Sequence, residues 1–351
     1  MTSRRTVLTT ATAGAALLAA GAPASAGGSG DLRSLVDGWR DYLTGIAGVP
    51  SVAIGVVANR RQYAVNGDAV FQIGSITKTF TALALAIADR AGRLSIDDPL
   101  RTHLPANYPV PTRGATPITL AHLTSHLSGL DVLPPGLAED PDLDPKDPYA
   151  HFTEAKLIAA LGRTTLLSDP GTKYLYSNYG GGLLGRALRD DYPALIRDQI
   201  TNPLGLKDTT ITLNADQQRR KVDGHDSETR ETTPDWHLPT LAGAGALYGT
   251  VNDLLRYLRG HMGEAPNTLK PALDLVQTPR FTITPALRIG MGWHMYTLPA
   301  SHRTAVWHNG GTGGFTSYAA FCPSRGTGVA LLVNIGGFDL DPYGVAILDA
   351  L

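Results

Sequence analysis

Apolar residues recur at helical spacing over residues 31–47, where Leu32, Leu35, Val36, Trp39, Leu43 and Ile46 share one face. A continuous apolar run over 52–58 then reads as a buried strand, and 62–65 as its hairpin partner across a tight turn at 59–61. Residues 79–90 are apolar almost all round, the pattern of a helix buried on every side, and Gly92 ends it. Pro-rich stretches at 99–117 and 133–148 read as loops, and helices are predicted at 153–161, 179–189 and 193–200. Thr250-Val-Asn-Asp253 resembles a capping box at the start of a helix running to Arg259. Near the end, 290–296, 304–308, 317–321 and 328–334 read as strands, and 342–351 as a closing helix. Strands lie early and late, with helices between. The class this predicts is α+β: an antiparallel sheet flanked by helices, built from both chain ends, with a mostly helical insertion. The expected division is 31–70 with 238–351 for the sheet domain and 71–237 for the helical one.

Composition narrows this picture only a little. The chain has 351 residues and a formal net charge of −1, so no basic face for nucleic acid is expected. Cys322 is the single cysteine, which excludes an intrachain disulfide, and its neighbours suggest a half-buried strand. The first 26 residues read as a twin-arginine signal peptide: Arg4-Arg5, an Ala/Leu-rich run, then Ala24-Ser-Ala26 as the cleavage site. The expected location is therefore secreted or extracytoplasmic, with a mature chain starting near Gly27.

The densest chemistry is at Gly74-Ser-Ile-Thr-Lys78. A serine and a lysine three residues apart lie on one helix face, one turn apart. Gly74 permits a sharp turn before the serine. The helix N-terminus favours developing negative charge, and the lysine can take or weaken the serine's proton. Two further groups follow in order: Tyr176-Ser-Asn178, and Trp307-His-Asn-Gly-Gly311 between apolar runs.

The order Ser-x-x-Lys, Tyr-x-Asn, His-x-Gly resembles that of the serine β-lactamase and penicillin-binding-protein superfamily. A tyrosine opening the second motif is similar to class C β-lactamases and D,D-carboxypeptidases. Segments 94–100, 118–130, 202–210 and 242–254 also resemble that family. The resemblance implies a β-lactamase/transpeptidase-like fold with the active site between the sheet and the helical region. It implies Ser75 as nucleophile, Lys78 as its activator, and Tyr176 as general base, held as a phenolate or low-pKa phenol by nearby cations. Asn178, His308, Asn309 and Gly310 would bind substrate, and the backbone N–H groups of Ser75 and Gly311 would form an oxyanion hole.

The family usually carries Thr or Ser where Asn309 stands, so a bias toward substrates without a terminal carboxylate is expected, with Arg288 as another source of charge. The implied activity is hydrolysis through an acyl-enzyme, first of D-alanyl-D-alanine-type cell-wall peptides. The alternatives are a carboxylesterase, a class C-type β-lactamase, or a non-turnover penicillin sensor. No cofactor or metal is called for. The expected partner is a small-molecule or peptide substrate met by a monomer, without nucleic acid or an integral membrane protein. His122 and His126 have a metal-ligand spacing on a predicted helix, but the zincin glutamate is missing and both are read as structural. No G-x-S-x-G, P-loop or C-x-x-C occurs.

Overall fold

The computed structural model describes residues 31–45 and 48–351. The predicted leader lies outside the described residues. In chain order, helix α1 (Leu32–Gly45) leads to the hairpin β1 (Val52–Ala58) and β2 (Arg61–Val65). The central helix α2 (Thr77–Arg90) follows, then α3 (Leu120–Thr124), α4 (Glu154–Arg163), α5 (Asn178–Leu188), the short α6 (Ala242–Gly245) and α7 (Val251–Arg259). Six strands come last: β3 (Phe281–Thr284), β4 (Leu287–Ile289), β5 (His294–Thr297), β6 (Thr304–Gly311), β7 (Thr316–Cys322) and β8 (Thr327–Val333). Helix α8 (Asp341–Ala350) closes the chain.

The strands form one eight-stranded sheet in the order β2-β1-β8-β7-β6-β5-β4-β3, antiparallel throughout. The early hairpin adds onto the last strand, Val52 opposite Val333, so both chain ends build the sheet. Period-two alternation sends Val52, Ile54 and Val56 to one face, against α1 and α8, and Ala53 to the other, toward α7 and the helical region. Both faces are covered, which is why β1, β7 and β8 are buried along their whole length and read as apolar runs. An α+β chain with a large antiparallel sheet flanked by helices is therefore what the sequence pattern encodes.

Several local expectations need correction. Residues 290–296 are not one strand: Gly290 donates to the Trp293 carbonyl and Gly292 takes φ +71°, making a tight turn between β4 and β5. The strand that ends at Cys322 is buried along its whole length rather than half-buried, because β7 lies in the middle of the covered sheet. Thr250 does cap α7 through the Asp253 N–H, but Asp253 does not return the bond. Its carboxylate accepts from Lys207 N, Asp208 N and Thr209 Oγ1 instead, tying a distant loop to the helix start. His122 and His126 do not share a helix: α3 ends at Thr124 and His126 sits beyond it at φ +58°. His122 Nδ1 accepts from Thr119 N as part of the α3 cap.

Candidate active site

Ser75 lies in a single 3₁₀ turn, Gly74–Ile76, that feeds straight into α2. Within 71–80 it is the one residue that is not buried. Two glycines make its position possible. A Cβ on Gly74, at φ +49°, would lie 2.6 Å from Gly311 N, and one on Gly310 would lie 2.2 Å from Ile73 O and 2.8 Å from Ser75 N. Strand β6 thus runs against the nucleophile's turn with no room for a side chain, and Ser317 Oγ on β7 fastens the turn by donating to Ile73 O at 2.8 Å. The Gly310–Gly311 backbone lies directly against the Ile73–Ser75 backbone. Gly310 itself is buried packing rather than an open substrate contact, while Gly311 is exposed.

One turn along α2, Lys78 is 4% exposed. Its Nζ is 2.8 Å from Ser75 Oγ, 2.8 Å from Asn178 Oδ1 and 2.6 Å from Ala244 O. The amide of Asn178, the first residue of α5, also reaches Tyr149 Oη at 3.3 Å. Ala244 is a partner that motif reading missed. Its signal was the small-residue run 242–246, whose glycines let α6 approach α5 and Lys78. Among the described residues no carboxylate pairs with Lys78, and burial pushes its pKa well below the ordinary lysine value.

Tyr176 stands over this group, with the Lys78 ammonium position 5.0 Å from its ring centroid. Burial pushes its pKa up, against the low-pKa phenol that the resemblance implies, and the neighbouring Ser75 hydroxyl pulls it down by less.

His308 and Asn309 are corrected by strand geometry. Adjacent residues on β6 face opposite ways. His308 points to the site side but is fully buried behind Tyr176, ring centroids 6.3 Å apart. Its Nδ1 donates to the Asn309 carbonyl, and burial, with His294 and Lys78 nearby, holds it uncharged. Asn309 faces away from the site with Trp307. Its Nδ2 donates to both oxygens of Asp341, at 2.9 Å each, at the start of α8. Arg288 is on β4, opposite Met295 and Thr282.

Behind Tyr176 the structure places residues that sequence reading did not: Tyr174, His126 and His294. Tyr174 Oη lies 2.9 Å from His294 Nε2, and burial lowers the His294 pKa to about 4. Among the described residues no group of three or more His, Cys, Asp or Glu is placed to hold a metal ion. The clefts lined by Glu154, Arg186 and Tyr192, and by Ile196, Thr209 and Leu247, contain none of the motif residues.

A serine touched by a buried lysine, beside an asparagine and a tyrosine, is the arrangement that the sequence resemblance leads one to look for. Residues 39–350 match the family model described as Beta-lactamase. The chain belongs to the beta-lactamase family. The D-alanyl-D-alanine-carboxypeptidase/endopeptidase AmpH of Escherichia coli K12 is 29% identical over 330 residues, covering 86% of this chain and 83% of that protein. Penicillin-binding protein 4 of Amycolatopsis lactamdurans is 31% identical, over 81% of this chain and 77% of its own. Among solved structures, a β-lactamase/D-alanine carboxypeptidase from Yersinia pestis, complexed with citrate, superposes with a TM-score of 0.75 at 26% identity, over 90% of this chain and 97% of that one. This family member is a serine hydrolase.

Proposed function

We propose that the protein hydrolyses amides of D-alanyl-D-alanine-type cell-wall peptides through an acyl-enzyme on Ser75. One observation carries the chemistry: Lys78 has three neighbours, of which two, Asn178 Oδ1 and Ala244 O, can only accept. In the structure Nζ donates to all three; on losing one proton it keeps its two N–H bonds to those oxygens and turns its lone pair to Ser75 Oγ. Burial without a carboxylate partner favours that neutral form.

Lys78 then takes the Ser75 proton as Oγ attacks the acyl carbon. The N–H groups of Ser75 and Gly311 hold the oxyanion, and such a donor is typically worth about 3–4 kcal/mol of barrier. Tyr176, a neutral phenol, gives its proton to the leaving group and recovers one from the Lys78 ammonium, so the proton count closes. Water takes the leaving group's place and the path runs backward. Asn178 steadies Lys78 and faces the substrate amide.

A carboxylesterase activity is the second reading. It is favoured by the uncharged His308 and the turned-away Asn309, which leave this wall without a cation for a substrate carboxylate. Export by the twin-arginine route is part of the proposal and rests on Arg4-Arg5 and Ala24-Ser-Ala26. A panel of D-Ala-D-Ala peptides, p-nitrophenyl esters and nitrocefin, assayed on the chain from Gly27, tests the substrate class. Peptide turnover with the highest kcat/KM supports the first reading. Ester turnover alone replaces it with the second. One equivalent of product and no turnover on any substrate would make the protein a sensor.

A further inference from the structure

We propose that His126 is a positioning residue for Tyr176, holding the backbone on both sides of the tyrosine and the ring itself; the inference rests on the reading of Tyr176 as a proton-transfer group. The carbonyl of His126 accepts from Leu175 N at 2.8 Å, and its Nδ1 accepts from Ser177 N at 3.1 Å. The residues immediately before and after Tyr176 are therefore bound to one histidine. Its ring lies against the tyrosine, centroids 4.4 Å apart and planes 36° from parallel.

A histidine needed only for packing requires one satisfied nitrogen. This one makes contacts to three successive residues centred on a single side chain. It does so from a left-handed backbone, φ +58°. A non-glycine residue held there is strained and persists where its surroundings over-determine it. The left-handed turn is what brings carbonyl and ring to the same three residues.

The protonation state follows from the partner. A backbone N–H only donates, so Nδ1 is a lone pair and the neutral ring carries its hydrogen on Nε2. His126 is 1% exposed, and burial with Lys78, His294 and His308 nearby disfavours the imidazolium that would break the bond to Ser177. The following residues complete the cradle. Asp131 O accepts from Ser177 Oγ at 2.6 Å, and Val132 O accepts from Asn178 N at 2.9 Å. The loop 126–132 is thus the surface on which the second motif is laid.

The test compares His126→Gly and His126→Asn, each with Tyr176 intact and with Tyr176→Phe, using p-nitrophenyl acetate as the probe. Both replacements tolerate positive φ, but only asparagine keeps an acceptor for Ser177 N. His126→Gly should lower kcat about ten- to a hundredfold with KM within about twofold, the scale of a misplaced catalytic group. His126→Asn should recover kcat to within about fivefold of wild type, and His126→Gly should cost less than about twofold more in the Tyr176→Phe background. An equal loss in both backgrounds, no recovery with asparagine, or an unchanged kcat in the glycine variant overturns the proposal. If the glycine variant does not fold, the asparagine variant decides alone: a loss beyond about a hundredfold contradicts the clamp. A Tyr176→Phe protein with wild-type kcat would overturn the reading of Tyr176 itself. An impaired Tyr176→Phe beside a fully active His126→Gly would remove only the clamp.

Discussion

At the scale of single residues, the site turns on two opposite effects of burial. The same dry environment that lowers the Lys78 pKa raises that of Tyr176, so the amine is available in its neutral form and the phenol keeps its proton to give. Lys78→Arg separates base from charge, because a guanidinium keeps the charge and does not deprotonate. We expect Lys78→Arg and Lys78→Ala each to lower kcat by about 10²–10⁴. If arginine retained most of the activity, Lys78 would be an electrostatic aid and not a base. The pH profile carries the same sign. The neutral amine is the active form, so kcat/KM should fall on the acid side as Lys78 protonates, and Lys78→Ala should abolish that limb. A profile whose acid limb survives in Lys78→Ala assigns it to another group. Ser75 and Lys78 were legible in the sequence because a three-residue spacing in a helix needs no tertiary knowledge. Ala244 and His126 were not legible. The first contributes only a backbone oxygen, and the second acts through a backbone angle that no side-chain pattern encodes.

At the scale of elements, the junction of β6 with the 3₁₀ turn and with α8 sets what the third motif can do. Alternation along β6 sends Trp307 and Asn309 one way and His308 and Gly310 the other. That pattern was present in the sequence, yet the family resemblance assigned Asn309 to the substrate side. Gly310 is the contact that Gly310→Ala tests. A methyl 2.2 Å from Ile73 O must push β6 off the nucleophile's turn. The variant should lose about 1–3 kcal/mol of stability by denaturant melt, with a drop in kcat, and wild-type values on both would mean the junction yields freely. On the other face, burial raises the Asp341 pKa to about 7, although the Asn309 amide opposes the rise. A folded-state pKa above the unfolded one gives stability that is full below about pH 4 and is lost as pH rises through about 7. Asp341→Asn should therefore gain stability relative to wild type from pH 4 to pH 8, by at most about 4 kcal/mol. A difference that stays flat across that range would show that Asp341 titrates normally.

At the scale of the whole molecule, the sheet was legible because buried strands read as apolar runs, and the helices because of their 3.6-residue period. The breaks were harder: the turn at 290–293 hides inside apolar sequence, and Asp253 looks like a capping partner until tertiary packing gives its carboxylate three other donors. The closure of the sheet by β1 on β8 joins residues nearly the full chain apart. It brings the Ser75 turn, the start of α5 and strand β6 to one place, and the account depends on that convergence producing an activated serine. The most direct measurement is peptide-level mass spectrometry of the chain from Gly27 after acid-quenching its reaction with nitrocefin, with a fluorophosphonate probe in parallel. One covalent adduct per chain is expected, on the peptide containing Ser75 and absent in Ser75→Ala. An adduct on any other residue, or the same extent of labelling in Ser75→Ala, would contradict it.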